Sequence, residues 1–113
     1  MPIITVWCLK KEKPKKFRRL CRKIVKAVVS VSELKLEEKD ITVLFPKDHM
    51  KKGLGEEIII DASGLFEKSD RTPEVCQKLA KTLGQTVAEM FPDAKTECFV
   101  RTFNPVNGFW SSE

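Results

Sequence analysis

The chain has 113 residues, of which 42% are hydrophobic and 33% are charged, and its formal net charge is +5. This length predicts one domain with a buried core, and no apolar run reaches the roughly 18 residues that would span a bilayer. The N-terminal apolar stretch is short and ends in KKEKPKK without a small-residue cleavage site. We therefore expect no signal peptide and no membrane partner, and we place the protein in the cytoplasm.

The first part of the chain predicts a strand, a helix and a second strand. PIITVWCL is apolar and rich in β-branched residues, as in a buried strand. Pro14 suits the first turn of a helix, and the apolar residues after it follow one helical stripe. After the connection SELKLEEKD, ITVLF predicts the second strand. The stripe consists of Phe17, Leu20, Cys21, Ile24, Val25, Val28 and Val29.

The basic residues concentrate between Lys10 and Lys26. Such a cluster is compatible with nucleic-acid binding. However, most of its members share one face of the predicted helix, and no aromatic residues are interleaved with them as stacking platforms. We interpret the cluster as a solvated helix face and do not expect a nucleic-acid partner.

The same order of elements returns after the loop PKDHMKKGLG. EEIIIDA predicts a strand and SGLFEKSDR a connection. Thr72 is a suitable N-cap, Pro73 a first helical residue and Glu74 a favourable anion in the first turn. Gly84 lowers the helix propensity by about 1 kcal/mol, which we interpret as a requirement for close packing. TECFVRTF predicts the fourth strand. The second stripe consists of Val75, Cys76, Leu79, Ala80, Leu83, Val87, Met90 and Phe91.

Pro14 and Pro73 occupy the same place in the two halves. The pattern predicts one domain, 1–113, built from pseudo-repeats 1–46 and 55–104 and a short tail, 105–113. Two β-α-β units predict a four-stranded sheet with both helices on one face, which is a two-layer α+β fold. Because the strands are apolar on both sides, we expect the uncovered face to be buried against other subunits.

The four cysteines show no CxxC pair and no metal-ligand spacing. We interpret Cys8, Cys21, Cys76 and Cys98 as reduced, small hydrophobic residues of a cytosolic core. The single histidine, His49, lies in the polar loop FPKDHMKKG, where we expect a solvated side chain. We therefore predict no metal site.

Three features together resemble the tautomerase superfamily: a Met-Pro start on a strand, a duplicated β-α-β unit of this length, and the run SDRTPEV. That family includes 4-oxalocrotonate tautomerase, malonate semialdehyde decarboxylase, the 3-chloroacrylic acid dehalogenases and macrophage migration inhibitory factor. The tail NPVNGFW is similar in pattern to the end of the macrophage migration inhibitory factor subfamily. The resemblance covers the whole chain and implies a homotrimer that acts on a small carboxylate-bearing substrate without a cofactor.

The resemblance implies that Pro2, a free secondary amine once Met1 is removed, is the general base or acid. An apolar pocket with nearby cations lowers the pKa of an amine from about 8 toward neutrality, where a proton shuttle works best. Arg71 is implied to bind the substrate carboxylate through two parallel hydrogen bonds, and Lys35 is implied to lie at the pocket mouth. The alternative is that Pro2 has no catalytic role and is simply the first residue of a strand.

Glu97 departs from the family pattern, which often has an arginine or tyrosine early in the last strand. Its carboxylate could raise the pKa of Pro2, activate water, or point to solvent. Arg101 could face the pocket or pair with an acidic neighbour. Three functions remain open. They are a tautomerase acting on a 2-keto or 2-hydroxy-dienoic acid, a hydratase- or dehalogenase-like enzyme using the same site, and a non-catalytic trimeric interaction protein.

Overall fold

Two β-α-β units follow one another in the computed structural model, which describes residues 2–48, 52 and 55–113. His49 lies outside these residues. Short 3-10 helices follow α1, precede β2 and follow β4, at Ser32–Leu34, Glu38–Asp40 and Pro105–Asn107. The main elements are β1 (Ile3–Trp7), α1 (Pro14–Ser30), β2 (Thr42–Leu44), β3 (Glu57–Phe66), α2 (Pro73–Met90) and β4 (Lys95–Phe103).

The four strands form one mixed sheet in the order β2-β1-β3-β4. Within each unit the two strands are parallel, so β1 pairs with β2 and β3 pairs with β4. The units join through the antiparallel pair β1–β3, in which Thr5 lies opposite Asp61. The predicted α+β fold with a four-stranded sheet is confirmed.

Both helices pack with the inner face of the sheet in one hydrophobic core. Alternate strand residues point into it, because successive side chains of a strand lie on opposite faces. Ile4 and Val6 of β1 and Ile60 of β3 are fully buried. Each helix contributes four buried residues, which are Leu20, Ile24, Ala27 and Val28 of α1, and Val75, Leu79, Leu83 and Val87 of α2.

The two helices begin differently. At α2, the Thr72 hydroxyl accepts a hydrogen bond from the Val75 N–H at 3.3 Å, and Glu74 lies in the first turn, as predicted. At α1, Pro14 is the first residue, as predicted, but the N-cap Lys13 provides no side-chain hydrogen bond and the first turn holds no acidic residue. The start of α2 is therefore encoded locally, whereas α1 depends on its packing.

No helix in the described part of the chain combines the length and the apolar character needed to cross a membrane.

β3 extends beyond the predicted strand. We predicted a connection from Ser63 onward, but pairing with β4 resumes after a register shift, with Leu65 opposite Thr102. Gly64 lies in this shift with a φ of 72°, a left-handed conformation that glycine adopts without steric cost. The prediction was wrong because a Ser-Gly pair typical of a turn here belongs to an irregularity inside a strand.

The close-packing interpretation of Gly84 was also wrong. A Cβ added to this residue would meet only the Cβ of Cys98, at 4.0 Å, which is an ordinary van der Waals distance. The backbone of α2 therefore leaves room for a larger side chain at this position.

All four cysteines are free thiols and are partly buried. Burial, with a smaller contribution from the Asp61 charge, raises the pKa of the Cys98 thiol to about 12. This thiol therefore stays protonated near neutral pH and acts as a small hydrophobic residue.

No helix of the described residues covers the outer face of the sheet. Asp61 lies at its centre, where one carboxylate oxygen accepts a hydrogen bond from Arg101 at 2.6 Å. Of the two alternatives for Arg101, pairing with an acidic neighbour is therefore the observed one. The other oxygen of Asp61 is buried and has no partner among the described residues. Large exposed apolar side chains surround this ion pair, namely Ile3, Trp7, Leu44, Phe99 and Phe103.

Candidate active site

A cavity of about 240 Å³ lies at the end of the sheet where β1 begins and β3 ends. The two strands are antiparallel, so the start of one and the end of the other share this edge. The turn before α2 and the segment between α1 and β2 complete the walls. The lining residues are Pro2, Lys35, Leu36, Asp40, Gly64, Leu65, Phe66, Lys68 and Arg71.

Pro2 is buried and lies directly before β1, an internal strand of the sheet. Its carbonyl accepts a hydrogen bond from the Thr42 N–H at 3.1 Å, at the start of β2. The Pro2 carbonyl is thus tied to the neighbouring strand, and the residue lines the cavity.

Arg71 is held in place by the backbone. Its Nη1 donates a hydrogen bond to the Phe66 carbonyl at 2.7 Å, and its Nη2 donates one to the Leu34 carbonyl at 3.2 Å. The Nε is buried and has no hydrogen-bond partner in the described part of the chain. Because a guanidinium carries five N–H donors, Arg71 keeps donors for a ligand while its position is fixed.

Lys35 lies at the rim of the cavity. Its backbone is left-handed, with a φ of 54°, and its side chain is 77% exposed. The Nζ lies 3.1 Å from a carboxylate oxygen of Asp70. This contact with Lys35 holds the pKa of the Asp70 carboxyl below its usual value. The Asp70 carboxylate therefore partly neutralises the positive charge of Lys35.

Asp40 also lines the cavity, although nothing in the sequence pattern predicted it there. One of its oxygens accepts a hydrogen bond from the Glu37 N–H at 2.9 Å, which fixes the carboxylate ahead of β2. Because β1 and β2 are parallel, a residue just before β2 lies close to the residue before β1. That placement is the signal that could have identified Asp40. Lys68, in the turn after β3, was missed as well.

Glu97 is not among the residues that line this cavity. It lies opposite Ile59 on the outer face of the sheet, and its carboxylate is 3.7 Å from the Lys95 ammonium group. Pro2 instead shares its cavity with a different carboxylate, that of Asp40.

The charges of the lining residues favour an anion. Three cationic side chains, Lys35, Lys68 and Arg71, face one carboxylate, that of Asp40. Leu36, Leu65 and Phe66 add apolar surface. Such a site suits a small molecule with a carboxylate and a short apolar body. Among residues 2–48, 52 and 55–113, no group of three or more His, Cys, Asp or Glu side chains could hold a metal ion.

No protein-family model matches the sequence. No curated protein matches it significantly either.

Solved structures share the fold over nearly the whole chain. A fused 4-OT described as an asymmetric trimer superposes with a TM-score of 0.80 at 18% identity, covering 97% of this chain and 92% of that one. Macrophage migration inhibitory factor of Toxoplasma gondii gives 0.74 at 13% identity, with 98% and 97% covered. A member of the cis-3-chloroacrylic acid dehalogenase family gives 0.75 at 10% identity, with 98% and 81% covered. The fold implied by the sequence resemblance is therefore confirmed.

Proposed function

We propose that the protein is a cofactor-independent tautomerase, an isomerase in which the Pro2 amine transfers a proton on a small 2-keto or 2-hydroxy-dienoic acid. The observation that carries this proposal is that Pro2, Lys35 and Arg71 line one cavity, although they are far apart in the sequence. A base and two anion-binding groups are the parts that such a reaction needs.

The cavity suits a proline amine that is neutral near physiological pH. The cationic side chains of Lys35, Lys68 and Arg71 disfavour a protonated amine, and burial does the same. Both effects lower the pKa of the amine, while Asp40 opposes them. The neutral amine takes a proton from a carbon or hydroxyl of the substrate and returns it to another atom of the same molecule.

Arg71 is proposed to bind the substrate carboxylate and to stabilise negative charge on the enolate that forms. The two backbone carbonyls that hold its guanidinium keep it oriented before the substrate arrives. Lys35 and Lys68 add positive charge at the rim, and Leu65 and Phe66 contact the apolar part of the substrate. These groups suffice for proton transfer, so we propose no cofactor.

We also propose that the working unit is a homotrimer. The apolar outer face of the sheet is too exposed for a stable monomer surface, and the buried oxygen of Asp61 needs a hydrogen-bond donor. A neighbouring copy of the chain would cover the apolar face and would supply the hydrogen-bond donor for Asp61. A fused 4-OT of the same fold is described as a trimer.

The placement of Asp40 favours a second candidate function, a hydratase- or dehalogenase-like reaction at the same site. Here Pro2 acts in its protonated form, and the Asp40 carboxylate activates a water molecule that adds to a double bond. Glu97 would have this role only if assembly brought it to the cavity of a neighbouring subunit.

Both enzymatic proposals require the removal of Met1, because a nitrogen in a peptide bond has no basicity. The intact mass of untagged protein produced in a cytosol decides this point. A chain short by one methionine is expected. A full-length chain would contradict both proposals and would leave the non-catalytic interaction protein as the function.

Turnover of the enol form of phenylpyruvate tests the role of Pro2. We expect Pro2→Ala to lower kcat/KM by about 100-fold or more, since a freely rotating primary amine replaces the ring nitrogen that is held in position. The matched control is Pro92→Ala, which removes an exposed proline outside the cavity and should leave turnover unchanged. Equal turnover by wild type and Pro2→Ala would contradict the mechanism. Loss of hydration, but not of tautomerisation, in Asp40→Asn would support the second candidate.

A further inference from the structure

The C-terminal tail folds into a defined turn directly after β4. The side-chain oxygen of Asn104 accepts a hydrogen bond from the Val106 N–H at 3.1 Å. The N–H groups of Gly108 and Phe109 both donate to the Pro105 carbonyl, at 3.3 and 3.1 Å. Gly108 has a φ of 137°, a conformation that residues with a side chain rarely adopt. The turn therefore depends on this glycine, and it gives Phe109 a definite direction.

The turn places Phe109 against the end of β3. The centroid of its ring lies 4.8 Å from that of Phe66, and the two ring planes are 74° apart. This edge-to-face arrangement is an attractive geometry for two aromatic rings. Phe66 is the last residue of β3 and lines the Pro2 cavity, whereas Phe109 is not among the lining residues. Phe109 thus contacts the cavity wall without being part of it.

Phe66 also connects this wall to Arg71. Its carbonyl accepts the 2.7 Å hydrogen bond from Nη1, the shorter of the two that hold the guanidinium. The main chain leaves the sheet at this point, after the Glu67 N–H has donated to the Phe103 carbonyl. The rotamer of a side chain and the backbone angles of its residue are coupled. The ring contact with Phe109 therefore helps to fix the Phe66 carbonyl, and with it the Arg71 guanidinium.

The direction of the Arg71 guanidinium matters for binding. Its buried Nε has no hydrogen-bond partner among the described residues, so the Nε–H is a donor that a carboxylate can use. Hydrogen bonds weaken steeply when donor and acceptor are misaligned, and a small rotation of the guanidinium therefore costs affinity. Phe109 is 52% exposed and lies outside the hydrophobic core. Its ring can thus be removed without disturbing that core.

We propose that Phe109 is a positioning residue for the Pro2 cavity, which rests on the proposed function in so far as the cavity binds carboxylates. Through Phe66 it orients Arg71, so the C-terminal tail sets the affinity of the cavity for a carboxylate. Proton transfer by Pro2 is not required for this role.

Titration of nitrogen-15-labelled protein with sodium benzoate tests this role, because benzoate has a carboxylate on a short apolar body and does not react. We expect Phe109→Ala to raise the Kd of benzoate about fivefold, as for the loss of one edge-to-face contact. The Nε–H signal of Arg71 should also move in the ligand-free variant. A purely structural role of Phe109 would lower the melting temperature and leave this Kd and this signal unchanged in the folded protein.

Three further variants show which contact transmits the effect. Phe109→Tyr keeps the aromatic ring and should bind benzoate like the wild type. Gly108→Ala keeps the Phe109 side chain but disfavours the turn, so it should weaken binding as Phe109→Ala does. In a Phe66→Leu background, Phe109→Ala should change the Kd by less than about twofold, since the partner ring is already absent.

The matched control is Trp110→Ala, which removes a larger aromatic side chain from the next position of the tail. Trp110 is 83% exposed and has no ring contact with a residue that the structure describes, so the Kd and the Arg71 signal should stay unchanged. Equal Kd values for wild type and Phe109→Ala, or equal losses in Phe109→Ala and Trp110→Ala, would overturn the proposal.

The benzoate titration also separates this role from the proposed function. A wild-type protein that does not bind benzoate would overturn both the role of Phe109 and the binding of carboxylates by the cavity. Turnover that survives in Pro2→Ala would contradict the tautomerase proposal alone, because benzoate binding involves no proton transfer.

Discussion

The two β-α-β units share one order of elements but differ in how their structure is encoded. In the second unit, α2 has a side-chain cap and an acidic first turn, and its strands span ten and nine residues. In the first unit, α1 has neither feature, and its strands span five and three residues. The second unit therefore carries strong local signals, whereas the first takes its shape mainly from the shared core.

This difference has a functional side. The first unit, which has the weaker local signals, provides Pro2, Lys35 and Asp40. The second unit provides Arg71 and Lys68. The candidate active site thus depends on contact between the units.

Truncation of a core leucine in each helix tests whether the units share one core. Leu20 of α1 and Leu83 of α2 are both fully buried. We expect Leu20→Ala and Leu83→Ala each to lower the free energy of unfolding by about 3 kcal/mol in urea titrations. Val106→Ala, at a side chain that is 89% exposed, should cost less than about 0.5 kcal/mol. A cost for Leu20→Ala far below that for Leu83→Ala would show that α1 unfolds separately.

Arg71→Lys tests the connection between the units. The Arg71 guanidinium joins the Phe66 carbonyl of the second unit to the Leu34 carbonyl of the first. A lysine cannot donate both hydrogen bonds in this geometry. We therefore expect Arg71→Lys to lower the free energy of unfolding by about 2 kcal/mol and to raise the KM for the substrate. Arg18→Lys, at an exposed position of α1, is the control. Unchanged stability in Arg71→Lys would mean that the two carbonyl contacts do not hold the units together.

Changes at the two N-caps test the difference in local encoding. Thr72→Ala removes the hydrogen bond to the Val75 N–H and should lower stability by about 1 kcal/mol. Lys13→Asp supplies the missing cap and an anion at the start of α1, and should raise stability by up to about 1 kcal/mol. Thermal unfolding of both variants measures the effects. If both changes had the same sign, the proposed contrast between the helix starts would be incorrect.

The smallest expected effect is at Gly84. Because a methyl group there meets no close neighbour, Gly84→Ala should stabilise the protein by about 0.7 kcal/mol through helix propensity. Ala88→Gly, one turn later on the same helix, should destabilise it by a similar amount. A destabilising Gly84→Ala would restore close packing as the reason for the glycine.

The helices and their first residues could be predicted from the sequence, because the apolar stripes after Pro14 and Pro73 are long and regular. The extension of β3 could not, since Gly64 looks like part of a turn until its partner strand is known. The meeting of Pro2, Lys35 and Arg71 was implied only by the family resemblance. Asp40 was missed because its place follows from the parallel pairing of β1 and β2, which is a tertiary contact.

The position of Pro2, directly before an internal strand, has a practical consequence for handling the protein. Any polypeptide joined to the Pro2 nitrogen starts beside the cavity and turns this nitrogen into an amide without basicity. An affinity tag or fusion partner at this end would therefore abolish the activity that we propose for this cavity. The opposite terminus ends in exposed residues, so it is the end at which a purification handle should be placed.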